Sequence, residues 1–203
     1  MRRRNLGFTL SLVLVGALMA GQAAPAVAVN HARFGSKLTN ADGSVRQPAN
    51  APRACDVTGP HEGDPCTVVS LIAAGFDTPG HEKAPKDGVI NKVRLVALNA
   101  GSFRLFFAKA QPGSNQAKVV KKGPTINFSG DSSSPYTIEV KNVNISVKKG
   151  WYIAVQASQF QTVSCTSGST ALLEFQPPLV VGHPFETADG HNGCNLLVQL
   201  QYQ

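Results

Sequence analysis

Gly88-Val89-Ile90-Asn91-Lys92-Val93-Arg94-Leu95-Val96-Ala97-Leu98, and shortly after it Phe103-Arg104-Leu105-Phe106-Phe107-Ala108-Lys109-Ala110, decide the fold. Val93, Leu95 and Ala97 fall on one side of a pleat and Lys92 and Arg94 on the other. Phe103, Leu105 and Phe107 likewise oppose Arg104, Phe106 and Ala108. The same period of two recurs where Val143, Ile145 and Val147 oppose Asn144, Ser146 and Lys148, and where Leu196, Val198, Leu200 and Tyr202 oppose Gln199 and Gln201. One apolar and one polar face per strand predicts antiparallel sheets with one side wet.

Outward from these runs, Gly, Pro, Asn and Ser divide the chain into further short strands. They are predicted at 67–73, 118–120, 125–128, 136–140, 143–147, 151–157, 171–175 and 195–202, beside 88–98 and 103–110. Parity slips between Val140 and Val143, which predicts a bulge or tight turn at Lys141-Asn142. Beyond the first residues no window of 11 or more carries a helical period. The fold class that follows is all-β: an antiparallel β-sandwich of jelly-roll type, with a barrel as the alternative.

The N-terminus has a different texture. Arg2-Arg3-Arg4 precede the apolar run Leu10 to Ala20, and Ala26-Val27-Ala28 closes a small-residue stretch. This order is that of a secretory signal peptide at 1–28, with the exported chain expected to begin near Val29. The apolar run is about half the roughly 20 residues a membrane span needs, so no transmembrane anchor is expected after cleavage. Residues 29–65 contain few large apolar side chains and are expected to form an extended N-terminal arm with at most one short strand. The β-sandwich domain is assigned to 66–203.

Cys55, Cys66, Cys165 and Cys194 make an even count in a chain marked for export, which favours two disulfides. Cys55–Cys66 and Cys165–Cys194 are the favoured pairs among three possible pairings, because each closes a local loop. Zinc is disfavoured, since no Cys-x-x-Cys pair exists.

Charge is distributed unevenly. The formal net charge is +7, and residues 83–149 contain 12 Lys and Arg against Asp87, Asp131 and Glu139. Residues 150–203 contain no Lys or Arg. Such segregation points to a basic face able to attract anionic polymers, against the alternative that the lysines only solubilise strands and blunt sheet edges. Lys121-Lys122 and Lys148-Lys149 precede Gly123 and Gly150, which places both pairs at turns and makes them the candidate anion-binding residues. No aromatic side chains are interleaved with them, so specific nucleic-acid binding is not expected.

Ala84-Pro85-Lys86-Asp87-Gly88-Val89-Ile90, Phe103-Arg104-Leu105, Val147-Lys148-Lys149-Gly150-Trp151-Tyr152-Ile153-Ala154-Val155 and Asn195-Leu196-Leu197-Val198 resemble a group of secreted single-domain β-sandwich proteins of actinobacteria. The resemblance covers residues 84–203 and departs at Trp151, where many of those proteins carry an acidic residue. It implies export and a sandwich fold, and it transfers no catalytic or binding residue.

Catalytic patterns are incomplete. Gly130-Asp131-Ser132-Ser133-Ser134-Pro135 resembles a serine-protease nucleophile loop, but serines replace the glycines that shape an oxyanion hole. His61-Glu62 and His81-Glu82 begin like a zinc-protease helix, yet Pro65 and Pro85 stand where the second histidine belongs. Glu186, Asp189 and Asn192, with His183 and His191 nearby, form an oxygen-rich loop that is a weak calcium candidate. Trp151 shares parity with Ile153 and Val155 and is expected in the core, which leaves Tyr152 and Tyr136 as the exposed-ring candidates. No cofactor is implied. The sequence therefore points to a secreted, non-catalytic protein binding anionic envelope or extracellular polymers. The alternatives are a polysaccharide-active enzyme, with carboxylates such as Asp56, Glu62, Asp64 or Asp77 facing Glu174 or Glu186, and a structural surface or matrix protein.

Overall fold

The computed structural model describes residues 32–49, 53–54, 64–71, 81–165 and 172–203. The expected signal segment, Cys55, and the carboxylates Asp56, Glu62 and Asp77 lie outside the described residues. All regular structure in the described residues is β, and every strand pairing is antiparallel. One sheet has four strands in the order β1 (Arg33–Gly35), β15 (Val198–Tyr202), β4 (Gly88–Leu95) and β7 (Glu139–Val147). The other has seven, in the order β12 (Glu186–Thr187), β6 (Gln116–Phe128), β5 (Gly101–Ala110), β8 (Tyr152–Ala157), β3 (Cys66–Ser70), β11 (Leu172–Phe175) and β13 (Gly190–Asn192). Two short ribbons complete the set: β2 (Arg53–Ala54) with β9 (Gln159–Phe160), and β10 (Val163–Cys165) with β14 (Cys194–Leu196).

The two larger sheets share a core built from their alternate residues. Ile90, Val93, Leu95 and Leu200 of the four-stranded sheet pack in one cluster with Phe103, Leu105, Phe107, Ile153 and Val155 of the seven-stranded sheet. Full burial of each such side chain is worth about 1.5–3 kcal/mol, so this period-two stripe does most to hold the sandwich-like fold together. Phe34 belongs to the same cluster and is 0% exposed. The segment 29–65 thus contributes β1 to a sheet edge, and with β2 it holds two short strands where the sequence predicts at most one. Gly35 ends β1 at φ 97°, where a Cβ would stand 2.5 Å from the Val198 carbonyl oxygen and from Ile153 Cδ1. Trp151 is only partly buried; it packs against this core from just before β8, with its ring 5.9 Å from that of Phe107.

Among the strand boundaries that differ from expectation, three change how strands are joined or divided. Residues 118–120 and 125–128 are one continuous strand, β6, which runs through Gly123-Pro124. Its register against β5 shifts between Arg104 and Phe106, so two residues of β6 oppose Leu105. A bulge at Gly123-Pro124 absorbs a residue that cannot donate to the ladder. Likewise 139–147 is a single strand, and the irregularity is a bulge within it, next to Lys141-Asn142, where Val143 and Asn144 together oppose Asn91 of β4. Residues 195–202 divide at Leu197, whose amide donates to the Thr162 carbonyl, so β14 and β15 serve different sheets.

The outer face of the seven-stranded sheet is not fully wet, contrary to the simple alternation. Val69, Phe106, Ala108, Val119, Ala154, Leu173 and Phe175 form a second buried cluster there, covered in part by Leu179. Residues 186–192 explain how this cluster is enclosed. The amide of Ala188 donates to the carbonyl of Asn115 beside β6, and the next amide, Asp189, donates to the carbonyl of Glu174 on β11. Four strand spacings of about 4.8 Å would hold β6 and β11 roughly 19 Å apart in a flat sheet, and adjacent amides cannot bridge that gap. The sheet therefore curls, and this segment clasps one edge to the other while the hydrogen-bonded order stays open.

Cys165 and Cys194 face each other directly in the β10–β14 ribbon and form the expected disulfide, with S–S 1.98 Å. Cys66 is also disulfide-bonded; Cys55, its expected partner, lies outside the described residues.

Candidate functional site

Register places the charge on the outer face of the four-stranded sheet. Arg33 of β1 pairs with Gln201 of β15, which pairs with Lys92 of β4, which pairs with Asn142 of β7. Two residues along, Gly35, Gln199, Arg94 and Val140 form the next row. Directly opposed residues share a face, and positions two apart on one strand share it too. Between these rows lie Phe34, Leu200 and Val93, which point into the core. The two rows thus carry three cations and three amides, and no carboxylate.

Local bonds fix this array. Arg94 Nη1 donates to Gln199 Oε1 at 2.8 Å, and Gln199 Nε2 donates to the Ser36 carbonyl at 3.2 Å. Gln201 is 5% exposed, whereas Arg33 is exposed and Lys92 half-buried. Burial, and then the like charge of Arg33, hold the Arg94 guanidinium below the usual arginine value. Arginine stays protonated in proteins, so the consequence is a half-desolvated cation beside another cation. An incoming anion would relieve both penalties. Neutral strand-face alternation foreshadowed Lys92 and Arg94; Arg33 was hidden because a three-residue strand carries no periodic signal.

The four lysines singled out from sequence do not form one cluster. Lys121 and Lys122 lie within β6 and not at a turn, because the Gly-Pro pair after them is a bulge. Lys121 opposes the core residue Phe107, and its Nζ donates to the Ser146 carbonyl at 2.7 Å and to Ser146 Oγ at 2.9 Å. Lys122 opposes Phe106 on the other face. Lys148-Lys149 does occupy the turn before Gly150, where φ is 81°. There Asp87 accepts the Lys149 amide at 2.7 Å and Lys148 Nζ at 3.1 Å. Those bonds, the backbone one foremost, keep the Asp87 carboxyl below its ordinary range.

The loop proposed for calcium is committed to other bonds. Glu186 lies 3.6 Å from His183 Nδ1, and Asp189 Oδ2 accepts the Gln176 amide at 2.7 Å as part of the clasp. The Asn192 and His191 side chains lie outside the described residues. Among the described residues no group of three His, Cys, Asp or Glu side chains is arranged to hold a metal ion.

Grooves lie elsewhere on the surface. One of about 620 Å³ is lined by Arg104, Thr125, Gln156, Ser158, Gln159 and Gln161, among others. Another, of about 510 Å³, includes Tyr152, Leu71, Glu82 and Lys83, with Lys83 Nζ 5.9 Å from the Tyr152 ring centre. Among the described residues Glu82 is the one carboxylate in these two linings, and no carboxylate pair of the kind glycoside hydrolysis uses is found there.

Taken together, these features define an antiparallel all-β protein with cations in register on one sheet. No protein-family model matches the chain, and no curated protein or solved structure matches it. Among the described residues no helix is long and apolar enough to cross a membrane.

Proposed function

We propose that this is a secreted, non-catalytic protein that binds anionic polymers of the cell envelope or extracellular space through a basic surface on its four-stranded sheet. The carrying observation is the pair of register rows Arg33–Gln201–Lys92–Asn142 and Gly35–Gln199–Arg94–Val140, which hold cations and amides without a carboxylate. Cations spaced along and across strands, roughly 7–10 Å apart, suit a linear polyanion laid on a sheet. Amides between them offer hydrogen bonds to its polar groups. The signal-peptide pattern at 1–28 and the Cys165–Cys194 disulfide support export to an oxidising compartment.

The finer architecture belongs to the same reading: a jelly roll with a largely extended arm before it, as in the secreted actinobacterial proteins the sequence resembles. Eight principal strands taken in chain order are β1, β3, β4, β5, β6, β7, β8 and β15, and the sheets then run first–eighth–third–sixth and second–seventh–fourth–fifth. That interleaving supports two nested Greek keys. The test of function is retention on a sulfated polysaccharide against an uncharged dextran of the same size. Retention on the charged matrix alone, without turnover of it, is expected; equal retention on both overturns the proposal.

A further inference from the structure

We infer that the groove around Arg104, on the opposite side of the molecule from the Arg33–Lys92–Arg94 rows, is a binding site for an acidic saccharide whose carboxylate is taken by the Arg104 guanidinium. Arg104 stands between Phe103 and Leu105, both in the shared core, and so points away from it, onto the outer face of the seven-stranded sheet. Thr125 of β6 and Gln156 of β8 flank it in register. It is half-buried, and among the described residues its side chain makes no hydrogen bond or ion pair. A planar fork of donors left open in a concave site matches a carboxylate held through two parallel bonds.

The rest of the lining selects the kind of ligand. Ser102, Thr125, Gln156, Ser158, Gln159 and Gln161 supply neutral donors and acceptors, the complement of a hydroxyl-rich ligand. Among the described residues Phe103 is the one aromatic in the lining, and it is 3% exposed, so they present no ring for a nucleobase to stack on. Gln156 also lines a neighbouring groove of about 470 Å³, with Lys122 and an apolar ledge of Phe106, Pro178, Val180 and Val181. Register puts Arg104 and Lys122 roughly 8 Å apart along the strand face. The two grooves therefore offer a second cation for the next acidic unit, and an apolar ledge for the C–H face of a sugar ring. Val180 and Val181, 51% and 43% exposed, acquire a role that the core does not give them.

The experiment uses the exported chain and two probes, trigalacturonic acid and its fully methyl-esterified form, titrated by calorimetry and followed by amide and arginine side-chain NMR. The acid is expected to bind saturably below about 10 mM and to move the Arg104 Nε–H resonance, and the neutral ester is expected to bind at least about ten-fold more weakly. Arg104→Met is expected to lower affinity for the acid by at least about ten-fold, Arg104→Lys to recover part of it, and Lys122→Gln to weaken it less. Amide spectra of the variants establish that they are folded. A variant with Arg33, Lys92 and Arg94 all changed to Gln should bind the acid as the wild type does, which separates this site from the polymer-binding face. Equal affinity for acid and ester, wild-type affinity in Arg104→Met, or no saturable binding of the acid would each overturn the assignment. So would tighter binding of a glycerol-phosphate oligomer of equal charge.

Discussion

Arg94 and Gln199 are joined across β4 and β15 by a 2.8 Å hydrogen bond that ties a half-buried guanidinium to its neighbour on the outer face of the four-stranded sheet. Gln199 in turn donates to the Ser36 carbonyl, so the arginine is tied through one amide to the strand that carries Arg33. A cation positioned this way loses little conformational entropy when it meets an anion. Gln199→Ala is therefore expected to weaken polymer retention by a few-fold although it removes no charge. The measurement is the salt concentration needed to elute the variant, set against Arg33→Gln as a charge-deleting control.

The Cys165–Cys194 bond closes a loop of sequence separation 29 that contains β11, β12 and β13. Chain-entropy reasoning gives about 3–4 kcal/mol for a loop of this length. The double variant Cys165→Ser/Cys194→Ser should show that loss as a lower urea midpoint, with a somewhat steeper slope because the unlinked denatured chain exposes more surface. An unchanged midpoint would mean that the clasp residues hold this region without the covalent link.

Glu139 accepts the amides of Ser129 and Gly130, at 2.9 and 2.6 Å, and the Lys141 ammonium at 2.8 Å. Burial raises its pKa, but the bond from Lys141 and then the two amides outweigh it and hold the carboxyl below its ordinary range. A depressed folded value means that the stabilisation is complete above the unfolded value near 4.5 and is lost as pH falls through the folded value. Glu139→Gln should therefore destabilise by about 1–3 kcal/mol near pH 7, and the gap from wild type should shrink near pH 3. Denaturation midpoints at the two pH values check this; a pH-independent gap would contradict it.

Gly35 supports β1 by a backbone geometry that other residues resist. Its φ of 97° and the 2.5 Å approach that any Cβ would make to the Val198 carbonyl oxygen predict that Gly35→Ala costs at least about 2 kcal/mol. Because β1 carries Arg33, the same variant should lose polymer retention along with stability. Thermal midpoint and retention measured together test the link, and normal retention in a destabilised variant would break it.

How far the sequence foretold this molecule depends on the scale of the feature. Alternation in 88–95 and 103–110 was enough for β4, β5 and the shared core, because burial of Val93, Leu95, Leu105 and Phe107 writes itself into every second residue. The same period, carried on past Val120, would have kept Lys121 and Lys122 within one strand, although a second register shift between Val119 and Lys121 reverses the face each takes. Reading Gly123-Pro124 as a turn cut the strand short, and whether a Gly-Pro pair turns or bulges is decided by its partner strand. The curl of the seven-stranded sheet was not legible, since residues 183–192 have no periodicity and act through backbone amides. Nor was the meeting of Arg33 with Lys92, which depends on both pairing with Gln201.

The measurement that bears most directly on the central claim is a salt series of retention on the sulfated polysaccharide. It compares wild type, the triple variant Arg33→Gln/Lys92→Gln/Arg94→Gln, and the quadruple variant Lys121→Gln/Lys122→Gln/Lys148→Gln/Lys149→Gln. Fields of exposed charges are screened over about 10 Å at 0.1 M salt, so wild-type retention should fall steeply through that range. The triple variant, folded by its thermal midpoint, should lose at least about ten-fold in affinity at low salt, and the quadruple variant, whose lysines are dispersed, should lose less. Wild-type retention in the triple variant, or a greater loss in the quadruple one, would contradict the assignment of function to this sheet face.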